Sequence, residues 1–163
     1  MKLRALVVDD SRIMRSMVME SLRKTNLAEF EFTEAVDGQD AVQKFHKDKI
    51  DIIFADWNMP NMSGVDFARH VRGLGKTEHI PIIMVTSEKT LSKMEEALDN
   101  AGANAFISKP FTVEYMLQKL GKVIASLDLA VSNNVPVTWL EASAAQPVPL
   151  KLSKPPQNKK KHV

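Results

Sequence analysis

Five side chains in this 163-residue chain have the types and positions to hold a hard cation beside an anion: Asp9, Asp10, Asp56, Thr86 and Lys109. Each ends or follows a short apolar run. Asp9-Asp10 comes after LRALVV, Asp56 after IDIIFA, Thr86 after IPIIMV and Lys109 after AFIS. A buried strand that stops on a carboxylate costs several kcal/mol unless the charge has a partner. Three carboxylates sharing one pocket make matters worse: at about 4 Å and an effective dielectric of about 20, each pair costs roughly 4 kcal/mol. A divalent cation offsets that repulsion, and an all-oxygen set with open positions suits Mg²⁺. A lysine and a hydroxyl alongside supply donors for a phosphoryl-type anion. Singly, these residues read as loop acids, a helix cap and a surface lysine. Their joint placement points to chemistry.

The elements that must position them alternate along the chain. Leu3–Val8 is β-branched and apolar on both faces, as a central parallel strand is. Ser11 is placed to cap a helix with Ile13, Met14, Met17, Val18 and Leu22 at 3–4 spacing. Phe30–Ala35 alternates like an edge strand, and Asp37-Gly38 leads into a helix bearing Ala41, Val42 and Phe45. Ile50–Ala55 is the most apolar run, followed by DWNMPNMSG and a helix with Val65, Ala68 and Val71. Ile80–Val85 precedes a helix with Leu91, Met94, Leu98 and Ala101, closed by Gly102. Ala105–Ser108 is the fifth strand, and a last helix carries Val113, Met116, Leu117, Leu120, Val123, Ile124 and Leu127. Such alternation predicts an α/β fold, a parallel sheet covered on both faces. Ligands of these sheets bind beyond the carboxyl ends of the central strands.

Composition, at 44% hydrophobic and 26% charged residues, fits one soluble domain plus a remainder. No apolar run is long enough to span a bilayer, and MKLRALVVDD lacks a signal-peptide pattern. With no cysteine in the chain, thiolate metal sites and disulfides are excluded, in keeping with a cytoplasmic location. The net charge of +2 is uneven: residues 128–163 carry +3 and the rest −1. A domain of that charge has no nucleic-acid footprint. Five of the eight prolines also fall within 128–163, which reads as a Pro/Lys-rich, mostly disordered tail after a domain of residues 1–127. VPVTWL (135–140) is its one apolar island, and Lys159–Lys161 offer a tether to an anionic surface. There is neither a GxxxxGK[ST] loop nor a GxGxxG, so nucleotide binding has no support.

The segments VVDDS, DWNMPNMSG, MVTSE and FISKPF resemble the signatures of bacterial response-regulator receiver domains, in order and at the right spacing over residues 1–127. Within that family they are most similar to the single-domain chemotaxis regulators. The resemblance implies a doubly wound, flavodoxin-like (βα)5 fold with a five-stranded sheet of order 2-1-3-4-5. It implies that Asp56 is the phosphoacceptor and that Asp9, Asp10, Asp56 and the backbone carbonyl of Asn58 hold Mg²⁺. Thr86 and Lys109 contact the phosphoryl group, Thr86 and Phe106 form the switch, and Asn58 and Glu88 tune dephosphorylation. The Lys109-Pro110 bond is cis in many members. The implied donor is a histidine kinase of the CheA type, and the output protein docks on the fourth helix, fifth strand and fifth helix. That partner is a flagellar motor switch protein in chemotaxis, with a phosphatase as a further partner. Such a protein is a phospho-aspartate switch of a two-component system, not an enzyme, and catalyses only its own phosphorylation and dephosphorylation.

Two departures bear on the output. Motor-binding members usually carry tyrosine where Phe106 stands, and single-domain members normally end near the last helix. The alternative is therefore a phosphorelay sink or adaptor without a motor partner. A Mg²⁺-dependent aspartyl phosphatase on the same scaffold would need an acid two residues after Asp56 and a cap insertion. Asn58 stands there, and no loop is long enough for a cap.

Overall fold

Leu3–Val8 has apolar side chains on both faces, and its strand is paired on both sides. In the computed structural model, which describes residues 1–87 and 90–133, β1 (Lys2–Val8) lies between β2 (Glu29–Ala35) and β3 (Ile52–Ala55). β4 (Ile82–Thr86) and β5 (Ala105–Ser108) follow outward, giving a parallel sheet of order 2-1-3-4-5. The connecting helices are α1 (Arg12–Thr25), α2 (Gly38–Lys47), α3 (Gly64–Gly73), α4 (Leu91–Glu95) and α5 (Val113–Asn133). The fold is the doubly wound one expected.

Alternate residues of each strand feed opposite faces. Leu6, Val8, Ile53, Ala55, Ile82 and Met84 pack under Ala41, Val65, Phe67, Ala68, Val71, Ala97 and Ala101, from α2 to α4 and its extension. Ala5, Val7, Ile52, Phe54, Ile83, Val85 and Ile107 pack under Val18 and Leu22 of α1 and Met116, Leu120 and Ile124 of α5. The caps are side chains of the expected kind. Ser11 Oγ accepts from Met14 N–H at 3.3 Å, Asp37 Oδ1 from Asp40 N–H at 2.8 Å and Ser63 Oγ from Asp66 N–H at 3.1 Å.

The structure differs from expectation where local chemistry overrides the apolar pattern. β3 and β4 begin at Ile52 and Ile82, two residues later than the apolar runs. Arg4 N–H donates to the Asp51 carboxylate at 2.8 Å rather than to a carbonyl, and Pro81 has no N–H to give. On α1, Ile13 and Met17 are exposed, while Arg15 is buried in phase with Val18 and Leu22. Leu117 of α5 is likewise exposed. After α4 the chain makes a π turn over Glu96–Asn100. The extra residue per turn rotates the helix face, so Ala97 and Ala101 are buried and Leu98 is exposed. Gly102 ends it at φ +72, as foreseen. α5 runs to Asn133, six residues past the boundary expected at Leu127. Residues 134–163, with VPVTWL and Lys159–Lys161, lie outside the described residues.

Candidate functional site at the carboxyl edge of the sheet

Parallel pairing brings the strand ends level: Val8 pairs with Ala35 and Ala55, Ala55 with Met84, and Thr86 with Ser108. The residues just beyond therefore meet. Asp9 N–H donates to Ala35 O at 3.1 Å, Asp56 N–H to Val8 O at 2.9 Å and Lys109 N–H to Thr86 O at 2.9 Å. These three ladder bonds fix the backbones that carry the site. Lys109 Nζ then lies 2.8 Å from Asp9 Oδ2 and 3.4 Å from Asp56 Oδ2. Asp9 Oδ1 accepts Ser11 N–H at 2.9 Å, and Asp56 Oδ1 accepts Trp57 N–H at 2.8 Å. The Thr86 hydroxyl, wholly buried, lies near enough to the Asp56 carboxylate to favour its charged form. All five residues singled out by type and spacing converge.

The loop after Asp56 is tied down at both ends. Gly64 N–H donates to Trp57 O at 2.9 Å, and a Cβ at Gly64 would overlap the Asp56 carbonyl oxygen, so the position requires glycine. Asn61 adopts φ +67 and its amide donates to Asp37 Oδ2 at 2.7 Å, while Gly38 N–H donates to Met62 O at 3.1 Å. Both bonds anchor the loop to the start of α2. Asn58 is exposed on it, and Trp57 is turned inward. The indole ring sits 6.2 Å from that of Phe106, which is only 7% exposed.

Burial pushes the Asp56 carboxyl above its ordinary pKa. Lys109 opposes the rise, Asp9 adds to it, and the bonds from Thr86 and Trp57 N–H oppose it in turn. The carboxylate is thus held in a place that favours its neutral form, short of positive charge despite the lysine. Asp9, Asp10 and Asp56 each offer an oxygen within 4.8 Å of the others, with Asp9 buried, Asp56 half-buried and Asp10 exposed. An oxygen-only donor set, open to solvent on the Asp10 side and deficient in cation, fits Mg²⁺, which keeps several of its waters. The Lys109-Pro110 bond is cis, as in many members of the family it resembles.

Glu88 lies outside the described residues. Arg15 was not foreseen. Its guanidinium donates to the Asp9 carbonyl at 2.8 Å and to Glu34 Oε1 at 3.0 Å, holding the backbone from which Asp9 projects. The available signal was its phase, three residues before Val18 and seven before Leu22.

The response regulator receiver domain model matches residues 5–121. The chain is 37% identical over 124 residues to the chemotaxis protein CheY of Pseudomonas aeruginosa, covering 74% of this chain and 95% of that protein. It is 35% identical to chemotaxis protein CheY-3 of Vibrio cholerae, covering 77% of this chain and 94% of the other. Among solved structures, Vibrio cholerae CheY4 superposes with a TM-score of 0.66 at 36% identity, over 76% of this chain and 99% of that one.

Proposed function

The chain belongs to the response regulator receiver domain family, and on that premise we propose that it is a phospho-aspartate switch of the chemotaxis type in the cytoplasm, with Asp56 as phosphoacceptor. The observation that carries this reading is the reach of Lys109. Its ammonium touches Asp9 and Asp56 together, at 2.8 and 3.4 Å, while the Thr86 hydroxyl meets the same Asp56 carboxylate.

A carboxylate is a weak nucleophile toward phosphorus, so rate must come from position and charge neutralisation. An Asp56 oxygen attacks in line, the P–N bond of a kinase phosphohistidine breaks, and the electron pair leaves with the imidazole. Asp9, Asp10, Asp56 and the Asn58 carbonyl would hold Mg²⁺, which when bound supplies charge for the phosphoryl oxygens. Lys109 neutralises a further oxygen. Thr86, already turned toward Asp56, exchanges the carboxylate for a phosphoryl oxygen, and Phe106 packs behind it. The switch is then read on α4, β5 and α5 by an output protein. Asn58 and Glu88 set the lifetime of the aspartyl phosphate.

Phenylalanine at position 106 favours a second reading, a phosphorelay sink or adaptor without a motor partner, because no phenolic hydroxyl is present for an output protein to recognise. Capture of partners by the beryllofluoride-treated protein against the untreated one separates the two.

Trp57 reports on the phosphoacceptor directly. In the full chain carrying Trp139→Phe, acetyl phosphate should change Trp57 fluorescence only with Mg²⁺, and Asp56→Asn should abolish the response. An unchanged response in the Asp56→Asn variant would overturn the assignment.

A further inference from the structure

On the side of the molecule covered by α2 and α3, two histidines that the phosphoryl site does not use face each other. His46 lies in the last turn of α2 and His70 in the last turn of α3. Their Nε2 atoms are 3.1 Å apart, and the rings meet edge to face at 5.3 Å and 85°. The rings are held from below: Phe45 packs edge-on against His46 at 6.0 Å and against the buried Phe67 at 6.4 Å. Packing of α2 on α3 therefore sets the separation of the two nitrogens.

That separation is the one a shared ion would impose. With metal–nitrogen bonds of about 2.0–2.1 Å, two ligands at a tetrahedral angle place their nitrogens about 3.3 Å apart. Two cis positions of a square-planar ion place them about 2.9 Å apart. We propose that His46 and His70 form a two-imidazole site for a borderline divalent transition ion, of the class of Zn²⁺, Ni²⁺ or Cu²⁺, clamping α2 to α3, with water in the remaining positions. Without the ion, one Nε2–H donates to the other Nε2. With it, both Nε2 lone pairs bind the metal, and the ring that had donated moves its hydrogen through water from Nε2 to its own Nδ1, so each ring still carries one hydrogen. Imidazole nitrogen selects against Mg²⁺, which prefers oxygen, so the two sites sort their ions by ligand chemistry.

The test is titration of the full chain with Zn²⁺ in saturating Mg²⁺, followed by calorimetry and by ¹⁵N signals of the histidine rings. One ion per chain is expected, with the His46 and His70 signals moving together and those of His79 unmoved. His46→Ala and His70→Ala should each weaken that ion at least tenfold, and the double variant should be no weaker than either single one. A retained Mg²⁺ response of Trp57 shows that the variants are folded. Identical titrations for the wild type and the double variant, or unmoved His46 and His70 signals at Zn²⁺ saturation, would overturn the proposal, and the ring signals decide it on the wild type alone.

Discussion

Charge gathers at both ends of the sheet, on opposite terms. At the amino end, Arg4 forks onto Asp51 with Nε and Nη2 at 2.9 and 2.8 Å. Arg72 donates to the carbonyls of Gly102, Thr77 and Ile80 and to the Asn104 side chain, which itself takes Ile82 N–H. Nε, Nη1 and Nη2 of Arg72 each reach an acceptor, so this arrangement is closed within the chain. At the carboxyl end, three carboxylates lie close together, the Lys109 ammonium touches two of them, and Asp56 is pushed toward its neutral form. A completed network rigidifies, whereas an incomplete one has affinity left over for a ligand.

The largest effect expected from breaking the completed end is at Arg72. Arg72→Ala takes the Arg72 donor from the Gly102 and Ile80 carbonyls and a second donor from Thr77 O and the Asn104 side chain, which keep Ile80 N–H and Ile82 N–H, and should cost about 3 kcal/mol in urea melts. A loss under about 1 kcal/mol would mean that water satisfies them and that this end is no more complete than the other.

At the carboxyl end the two aspartates that follow β1 should behave in opposite ways. Sequence reasoning treats Asp9 and Asp10 alike, as crowded acids whose removal relieves the metal-free protein. The structure separates them. Asp9 is 4% exposed and holds Lys109 and Ser11 N–H, so Asp9→Ala should cost about 2 kcal/mol without Mg²⁺. Asp10 is exposed, and Asp10→Ala should gain up to about 1 kcal/mol. Both should lose stabilisation by Mg²⁺. Melts of the two variants with and without the ion decide it, and equal gains would show Lys109 to be no real partner of Asp9.

That contrast marks how far the sequence could be read. The carboxyl end was legible because central parallel strands are continuous apolar runs, and a polar residue closing each one stands out. The amino end was not, since the partners of Arg72 are mostly backbone carbonyls, which carry no residue signature. Nor does the 3–4 spacing on α1 say which apolar residues lose the core to Arg15. His46 and His70 are 24 residues apart, and only the packing of α2 on α3 makes them neighbours.

Phe106 sharpens the comparison in the middle of the sheet. It is buried beside Trp57, and a phenylalanine turned inward leaves no polar atom unsatisfied, so the resting protein should favour the inward arrangement. Phe106→Tyr would bring a hydroxyl that needs a polar partner to a position only 7% exposed. With roughly 40–60 Å² less apolar burial retained, the inward state should lose about 1–1.5 kcal/mol, close to tenfold in population. Side-chain NMR couplings and partner titrations measure this. A tyrosine variant as inward as the wild type, and binding partners equally at rest, would refute the packing argument.

The smallest expected effect tests the two ends by pH. Burial pushes Asp51 upward, but the Arg4 side-chain and backbone bonds outweigh it, and its pKa ends below the ordinary 3.8. A lowered folded value gives stability that is present above the unfolded pKa and lost as pH falls through the folded one. Asp56 is raised above 3.8, mainly by burial, so its contribution is fully present below the unfolded pKa and is lost as pH rises through the folded one. Both groups are partly solvated, which keeps each effect on the order of 1 kcal/mol or less. Urea melts from acid to neutral pH should therefore show Asp51→Asn falling further behind the wild type as pH rises, and Asp56→Asn catching up or overtaking it. Mg²⁺ supplies the missing charge, so adding it should reverse the second slope and leave the first unchanged. Slopes of the same sign for both variants without Mg²⁺ would mean that the carboxyl end is as well compensated as the amino end, and that Asp56 is not held in want of a cation.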